Sequence, residues 1–528
     1  MCGIELFLGN YNREKVRELF MKISKRGPDN TEIVEYTDLF MGFHRLKVND
    51  LTENGNQPFM FSDNNSDYYL LINGEIYNHL ELEKEYNLSD KLKSKSDCEV
   101  ILHLFIIHRD IKKVVNLLDG EFAGVIVERT DDKTKLYIFR DSYGVRPLYY
   151  GSGEGLFGIS SELKGLSGVL DKIEQFPPGH VMEREGLEYS LSNYNSLDIK
   201  IEVYEETEAL IGIREGLIKA VKKRMMSERP ICCLLSGGLD SSLVASILSS
   251  NSKERIHTFC IGMEGGEDFY YARLVSKYIN SIHHEIVLSE SEFLEAIPEV
   301  VRTIESYDGT TCRASVGQYL VSKYISEKTD FKVVYVGEGS DELTGGYLYF
   351  HNAPDENEFD KECKRLLSDI HYFDGKRSDR CISGFGLESR VSFLDRDFVR
   401  YYLSIDKKLR YRKGEIEKLL LRKAFIGYLP DEVLWRVKEA FSDGVSSKRK
   451  SWYEIINEMV RERVGEEYEE GRKRYGRYLM PYNEELYYYR KIFSENYENE
   501  NVLPYYWLPR WSGNVIEASA RVLDVYKK

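Results

Sequence analysis

No Cys-x-x-Cys pair occurs in this chain, no apolar run approaches the length of a bilayer span, and no internal repeat or low-complexity tract interrupts it. Positive charge is not in excess either. Across 528 residues, 73 lysines and arginines face 88 aspartates and glutamates, for a net charge of −15. Each gap removes a class. Without the paired spacing, the eight cysteines (2, 98, 232, 233, 260, 312, 363 and 381) read as buried free thiols in a reducing compartment. The acidic balance argues against a nucleic-acid or anionic-membrane surface. Short basic pieces such as Lys448-Arg449-Lys450 then read as solvated faces or local phosphate contacts. No charged segment followed by an apolar one opens the sequence, so a secretory signal is not expected. Run length excludes a transmembrane helix. A soluble, cytoplasmic protein with neither nucleic acid nor membrane as partner is the expectation.

What is present is enough apolar residue, 42%, and enough length for two or more domains with separate cores. To about residue 200, alternating strand-like runs dominate: Ile4 to Leu8, Leu39 to Phe43, Tyr68 to Ile72, Phe122 to Val127 and Lys135 to Phe139. Helix-like pieces such as Glu99 to Phe105 intervene, which predicts a mixed sheet protein with helices on its faces. A polar stretch from Glu183 to Lys200 reads as linker. Beyond it the pattern becomes strand, helix, strand: Ile231–Leu235, Ile256–Ile261, helix Tyr270–Ile279, Ile282–Leu288 and Lys332–Val336. That alternation predicts a parallel sheet with ligands outside the carboxyl ends of its strands. The region after about residue 400 reads as helical and aromatic-rich.

The most informative stretch is Ser236-Gly237-Gly238-Leu239-Asp240-Ser241-Ser242, between the apolar strand Ile231–Leu235 and an amphipathic helix. A helix starting there offers unpaired backbone N–H groups and the positive dipole end. Glycines let a ligand approach, and the serines add donors, so the turn is a cradle for phosphate or pyrophosphate. No Lys-Ser/Thr pair closes it, so it is not a Walker loop. It looks like the pyrophosphate loop of enzymes that cleave ATP between the α and β phosphates. A second glycine turn, Gly337 to Tyr347, follows strand Lys332–Val336 and carries Glu338, Asp341 and Glu342. Carboxylates at such a place can hold magnesium against phosphate or accept a proton. Lys438, in Lys438 to Gly444, could reach back to a leaving pyrophosphate; on pattern alone a surface lysine is the simpler reading.

Cys2 follows Met1. Removal of Met1 would give it a thiol and an α-amine of pKa about 7.7–8.0, a nucleophile beside a base. Asn73 and Gly74 are suitable oxyanion donors, Arg45 can grip a carboxylate and Asp97 an ammonium. His283-His284-Glu285 invites a metal, but adjacent strand residues point to opposite faces, so structural histidines are the simpler reading.

Several blocks in order resemble the glutamine-dependent asparagine synthetase family over nearly the whole chain. Cys2-Gly3-Ile4, Arg26 to Asp29, Asn73 to Asn78, Ser96 to Val100 and Arg140 to Tyr150 resemble its class II glutamine amidotransferase domain. Ser236 to Ser242, Tyr307 to Ser315, Gly337 to Tyr347, Gly386 to Arg390 and Lys438 to Gly444 resemble its synthetase domain. Ser142, Ser392, Val336 and Thr344 depart from the family pattern without removing a catalytic group.

The resemblance implies an N-terminal α+β domain, an αββα sandwich of N-terminal nucleophile hydrolase type, over 1–190. A linker over 191–205 leads to an α/β domain over 206–528, a parallel sheet of pyrophosphate-loop ATPase type with a helical C-terminal extension. It implies that Cys2 hydrolyses glutamine, with Asn73 and Gly74 as oxyanion hole and Arg45, Glu75 and Asp97 binding the substrate. Ser236, Gly237, Gly238, Asp240, Ser241 and Ser242 would hold pyrophosphate, with Leu234, Ile261 and Gly337 around adenine and ribose. Asp240 and Asp341 would hold magnesium, Glu338 would serve as base for ammonia, and Lys438 would steady pyrophosphate. Thr310, Thr311 and Arg313 would lie near aspartate. Glutamine, aspartate and ATP would be the small-molecule substrates, with ammonia kept unprotonated in an internal passage. A homodimer stays open, the sequence being silent on oligomeric state. Two rivals stand: a related amidotransferase adenylating another carboxylate, and a non-catalytic protein that kept the fold.

Overall fold

The computed structural model describes residues 1–438, 444–447 and 450–513. The chain divides into two compact units. The first comprises Met1–Ser196 with Met226–Arg229 and Ser383–Glu388; the second comprises Leu197–Met225, Pro230–Ile382 and Ser389–Lys528.

In the first unit two six-stranded sheets lie face to face. One runs in the order Lys172–Gln175, Tyr149–Gly153, Leu156–Ser160, Gly3–Leu8, Leu39–Arg45, Asn30–Glu35. The other runs Glu188–Asn193, His180–Glu185, Thr134–Arg140, Gly120–Arg129, Asp67–Ile76, Phe59–Ser62. Neighbours pair antiparallel. Period-two alternation explains the layering. Along Asp67–Ile76, Tyr69 and Leu71 face the other sheet with Ile4, Leu6, Met41 and Val125. Tyr68, Leu70 and Ile72 face outward, onto helices Val100–His108 and Ile111–Leu117 through Ile101, Leu104 and Val114. Phe20 of helix Arg13–Lys22 packs on Phe40 and His44 of the first sheet, so the unit is an αββα sandwich.

The stretch from Glu183 that reads as linker is instead largely the hairpin of His180–Glu185 with Glu188–Asn193. Its polarity has a plain cause: Glu188–Asn193 is an edge strand, exposed at nearly every position.

The second unit holds a five-stranded sheet in the order Ile282–Leu288, His257–Met263, Ile231–Leu234, Val333–Val336, Glu388–Val391. The first four strands are parallel, joined through helices Leu239–Asn251, Glu267–Tyr278, Glu290–Ile304 and Gly309–Lys328. The expected helix Tyr270–Ile279 begins earlier, at Glu267, because Glu267 and Asp268 favour its first turn. Helices continue beyond residue 400, among them Trp452–Val464 and Glu484–Ser494. Among the described residues no helix is long and apolar enough to cross a membrane.

Candidate active sites

The first site is built at the end of one strand and the middle of another. Cys2 immediately precedes strand Gly3–Leu8, and its Sγ lies 3.8 Å from the Leu46 carbonyl oxygen. Arg26 Nε donates to the Cys2 carbonyl at 2.9 Å, while its Nη1 donates to Glu162 at 2.8 Å. Burial pushes the Cys2 thiol pKa up. Met1 is fully buried, its ammonium donates to the Leu387 carbonyl at 3.2 Å, and burial lowers that amine to about 6.

Asn73, Gly74 and Glu75 lie within strand Asp67–Ile76, which runs past Ile72 rather than ending there. Asn73 is completely buried, and among the described residues neither its Oδ1 nor its Nδ2 has a hydrogen-bond partner. An amide in that state is costly unless a ligand completes it. Glu75 and Asp97 are tied together by Asn49, whose Nδ2 lies 2.5 Å from Glu75 Oε2 and 3.4 Å from Asp97 Oδ1. Asp97 Oδ2 also accepts from the Ile76 N–H at 2.6 Å. Arg45 donates to the Thr52 carbonyl at 2.6 Å, to Asn56 Oδ1 at 2.8 Å and to the Asp50 carbonyl. These acceptors are neutral, so among the described residues the guanidinium is fixed in place without a carboxylate in its hydrogen-bonding shell. Asn49 and Asn56 escape the sequence reading because nothing in their local spacing marks them.

In the second unit a cavity opens at the carboxyl ends of the parallel strands. Leu234, Ser236, Gly238, Asp240, Ser241, Ile261, Val336, Gly337, Glu338, Asp341 and Lys438 line it. Gly237 and Ser242 do not. Gly237 shapes the loop: its φ of +73° and the Tyr271 Cβ 2.4 Å from any added Cβ admit only glycine. Ser236 and Ser241 hydroxyls meet at 3.1 Å, and the Gly238 N–H donates to Ser236 Oγ at 3.4 Å. Ser242 is buried, and its Oγ has no partner among the described residues.

Lys438 reaches the cavity, its Nζ 2.6 Å from Asp341 Oδ2 and 3.8 Å from Asp240 Oδ2. Burial works against its charge, yet Asp341 and Asp240 outweigh this and raise its pKa. Burial likewise acts to raise Asp341, but Lys418 and Lys438 hold it well below the ordinary carboxylate range. Glu439 to Asp443 of the Lys438 to Gly444 block lie outside the described residues, as do Lys448 and Arg449.

Glu338 accepts from Gln318 Nε2 and from Arg377 Nη1, each at 3.0 Å, and burial raises its pKa despite the guanidinium. Arg377 Nε also donates to Asp374 at 3.2 Å. The Tyr347 hydroxyl lies 2.7 Å from Glu342 and 3.1 Å from Asp374. Burial, then Asp374 and Asp341, push Glu342 up to about 8. Gln318, Asp374, Arg377 and Lys418 all line the cavity and carry no motif of their own in the sequence.

Thr310, Thr311 and Arg313 are not brought to it. Arg313 is locked in a two-pronged pair with Glu485, 2.6 and 2.5 Å, under the Tyr453 ring. Thr311 is bound to the helix cap Asp308 at 2.9 Å. Thr310 Oγ1 is buried without a partner among the described residues. Departure Val336 lines the cavity, and Thr344 donates to the Ser340 carbonyl at 2.6 Å. His283 and His284 are structural: His283 meets Thr258 Oγ1 at 2.9 Å, and His284 meets His257 at 2.9 Å and stacks on Phe259.

Asp240 and Asp341 offer hard carboxylate oxygens, a donor set suited to magnesium held jointly with substrate phosphates. Among the described residues no group of three or more His, Cys, Asp or Glu forms a ready cage. Magnesium commonly needs no such cage when phosphates complete its shell.

Comparison with known proteins agrees with this arrangement. The glutamine amidotransferase domain family matches residues 1–211, and the asparagine synthase family matches 212–361 and 352–517. The chain is 40% identical over 565 residues to the glutamine-hydrolyzing asparagine synthetase of Gallus gallus, covering 100% of this chain and 99% of that protein. It is 40% identical over 568 residues to that of Homo sapiens, with the same coverage. A probable asparagine synthetase of Acanthamoeba polyphaga mimivirus is also 40% identical, over 99% of this chain and all of its own length. A thiol at the head of the first strand, a buried unsatisfied amide in the same unit, a glycine turn opening on paired aspartates, and full-length identity at this level converge: the chain belongs to the glutamine-hydrolysing asparagine synthetase family.

Proposed function

We propose that this chain converts ATP, L-aspartate, L-glutamine and water to AMP, diphosphate, L-asparagine and L-glutamate. The observation that carries the reading is one chain, alike over its full length to such enzymes, that holds both an N-terminal thiol site and a nucleotide-type cavity.

In the first unit, Met1 is removed and the freed α-amine of Cys2 takes the thiol proton. The sulfur attacks the glutamine carboxamide carbon, and the oxyanion falls to Asn73 Nδ2 and the Gly74 N–H. The unpartnered Asn73 amide supports that role. Arg45 takes the α-carboxylate, and Asp97 with Glu75 takes the α-ammonium. The α-ammonium of Cys2 returns its proton to the departing nitrogen, ammonia leaves, and water hydrolyses the thioester to glutamate.

In the second unit, the β-carboxylate of aspartate attacks the α-phosphorus of ATP and pyrophosphate departs. Ammonia then attacks the acyl carbon and AMP leaves. Ser236, Gly238 and Ser241 cradle the pyrophosphate, Lys438 offsets its charge, and Leu234, Ile261 and Gly337 wall the nucleoside. Magnesium, held by Asp240 and Asp341, would supply further charge neutralisation on the phosphates. Glu338 accepts the proton from the attacking nitrogen. For aspartate itself we assign Arg377 to the α-carboxylate and the Glu342–Asp374 pair to the α-ammonium, in place of Thr310, Thr311 and Arg313. All eight cysteines are unpaired, which suits a reducing cytoplasm.

The test is asparagine formation from ATP, aspartate and glutamine, with AMP and pyrophosphate tracked alongside. Equal amounts of asparagine and AMP are expected. AMP release with another acid but not with aspartate would overturn the substrate assignment. Silence with every acid would overturn the enzymatic reading.

A further inference from the structure

Lys418 is the least expected member of the second site. Its ammonium sits between the two carboxylates just assigned to magnesium: 2.7 and 2.6 Å from Asp240 Oδ1 and Oδ2, and 2.6 Å from Asp341 Oδ1. Ser340 Oγ lies 3.3 Å from the same nitrogen and itself donates to Asp240 Oδ1 at 2.7 Å. The Asp341 Oδ1 contact is a close ion pair. The Lys418 side chain is 1% exposed.

Three features show that this placement is built in. The Lys418 backbone is left-handed, φ +59° and ψ +29°, at the entry to helix Leu419–Ala424. A non-glycine residue held there is over-determined by its surroundings. A Cβ added to Gly346 would fall 1.9 Å from Lys418 Cε and 2.2 Å from Asp341 Oδ1, so the glycine leaves room for both groups. Lys438 binds the other oxygen of Asp341. Two lysines thus balance two aspartates before any metal or nucleotide arrives.

A compact ammonium within hydrogen-bond distance of both carboxylates stands where a bridging divalent ion would compete for the same oxygens. We infer that Lys418 is an internal counter-ion that keeps free divalent metal out of the Asp240–Asp341 pair and yields those oxygens only to metal delivered with nucleotide phosphate. It is a positioning residue: it acts through the two aspartates. The inference rests on the cavity taking a metal–nucleotide complex, as proposed above.

The test is Mn²⁺ binding to the full-length protein without nucleotide, followed by electron paramagnetic resonance of free Mn²⁺. The wild type should take up Mn²⁺ at least tenfold more tightly with ATP than without it. Lys418→Met should gain one nucleotide-independent Mn²⁺ per chain, at least tenfold tighter than wild type, and the double variant Lys418→Met/Asp240→Asn should lose it. Lys418→Arg, which keeps the charge, should behave as wild type. If the wild type alone binds one Mn²⁺ as tightly without ATP as with it, the inference fails, and that measurement needs no folded variant. If a folded Lys418→Met gains no site, it also fails. None of these readouts uses asparagine synthesis, so failure of the activity assay and failure of the counter-ion are separable.

Discussion

At the scale of single residues, Asn73 is the most exacting feature of the first unit. It is fully buried with both ends of its amide unpaired, so its presence is a net cost to the empty protein. Asn73→Ala should therefore fold at least as well as wild type, while glutaminase kcat falls about 10²–10³-fold, the usual consequence of losing an oxyanion donor. Thermal melting and glutamate release check the two halves. Residues of this kind were only partly legible beforehand. Asn73, Asp240 and Glu338 sit inside glycine-marked turns or strands, where local chemistry singles them out. Asn49, Gln318, Arg377 and Lys418 carry no such mark. Lys418 is 178 residues from Asp240 along the chain, and only the folded backbone brings them together. Arg313 illustrates the opposite failure: its place in a recognised block drew attention, but Glu485, 172 residues away, claims both of its arms.

At the scale of elements, apolar patterning was the reliable guide and polarity the misleading one. Ile231–Leu234, His257–Met263 and Val333–Val336 are buried on both faces and read as apolar runs. Strand Glu388–Val391 is buried yet spelled Glu-Ser-Arg-Val, and no period or propensity reveals it. The Glu188–Asn193 edge strand was hidden by its exposure. Polar groups also anchor helices. Asp395 caps helix Arg396–Ser404 by accepting from the Phe398 N–H at 3.1 Å, and its other oxygen meets Lys223 at 2.5 Å and Arg224 at 2.7 Å. Burial pushes this carboxyl up, but Arg224 and Lys223 bring it below the ordinary aspartate value. A lowered folded pKa means stability present above the unfolded value, about 3.9, and lost as pH falls through the lower folded one. Asp395→Asn keeps a cap but strands two cations. It should destabilise the second unit by about 3–5 kcal/mol at pH 7. In urea melts that gap should narrow toward zero in strong acid, where wild-type Asp395 is itself protonated.

At the scale of the whole molecule, the two units divide the reaction we propose, and variants should separate them. Cys2→Ala should abolish glutamine-driven asparagine synthesis and leave ammonium-driven synthesis within about twofold of wild type, since the substitution removes only the nucleophile. Asp240→Ala should do the reverse, sparing glutamate release while AMP formation falls by more than about tenfold, as expected when a carboxylate that would hold the metal on the phosphates is lost. Loss of both activities in folded Cys2→Ala would contradict the division.

Across both units, seven of the eight sulfhydryls are sealed inside the protein, and Cys2 alone has partial access to solvent. A small alkylating reagent applied to the native protein should therefore add one adduct per polypeptide, at Cys2.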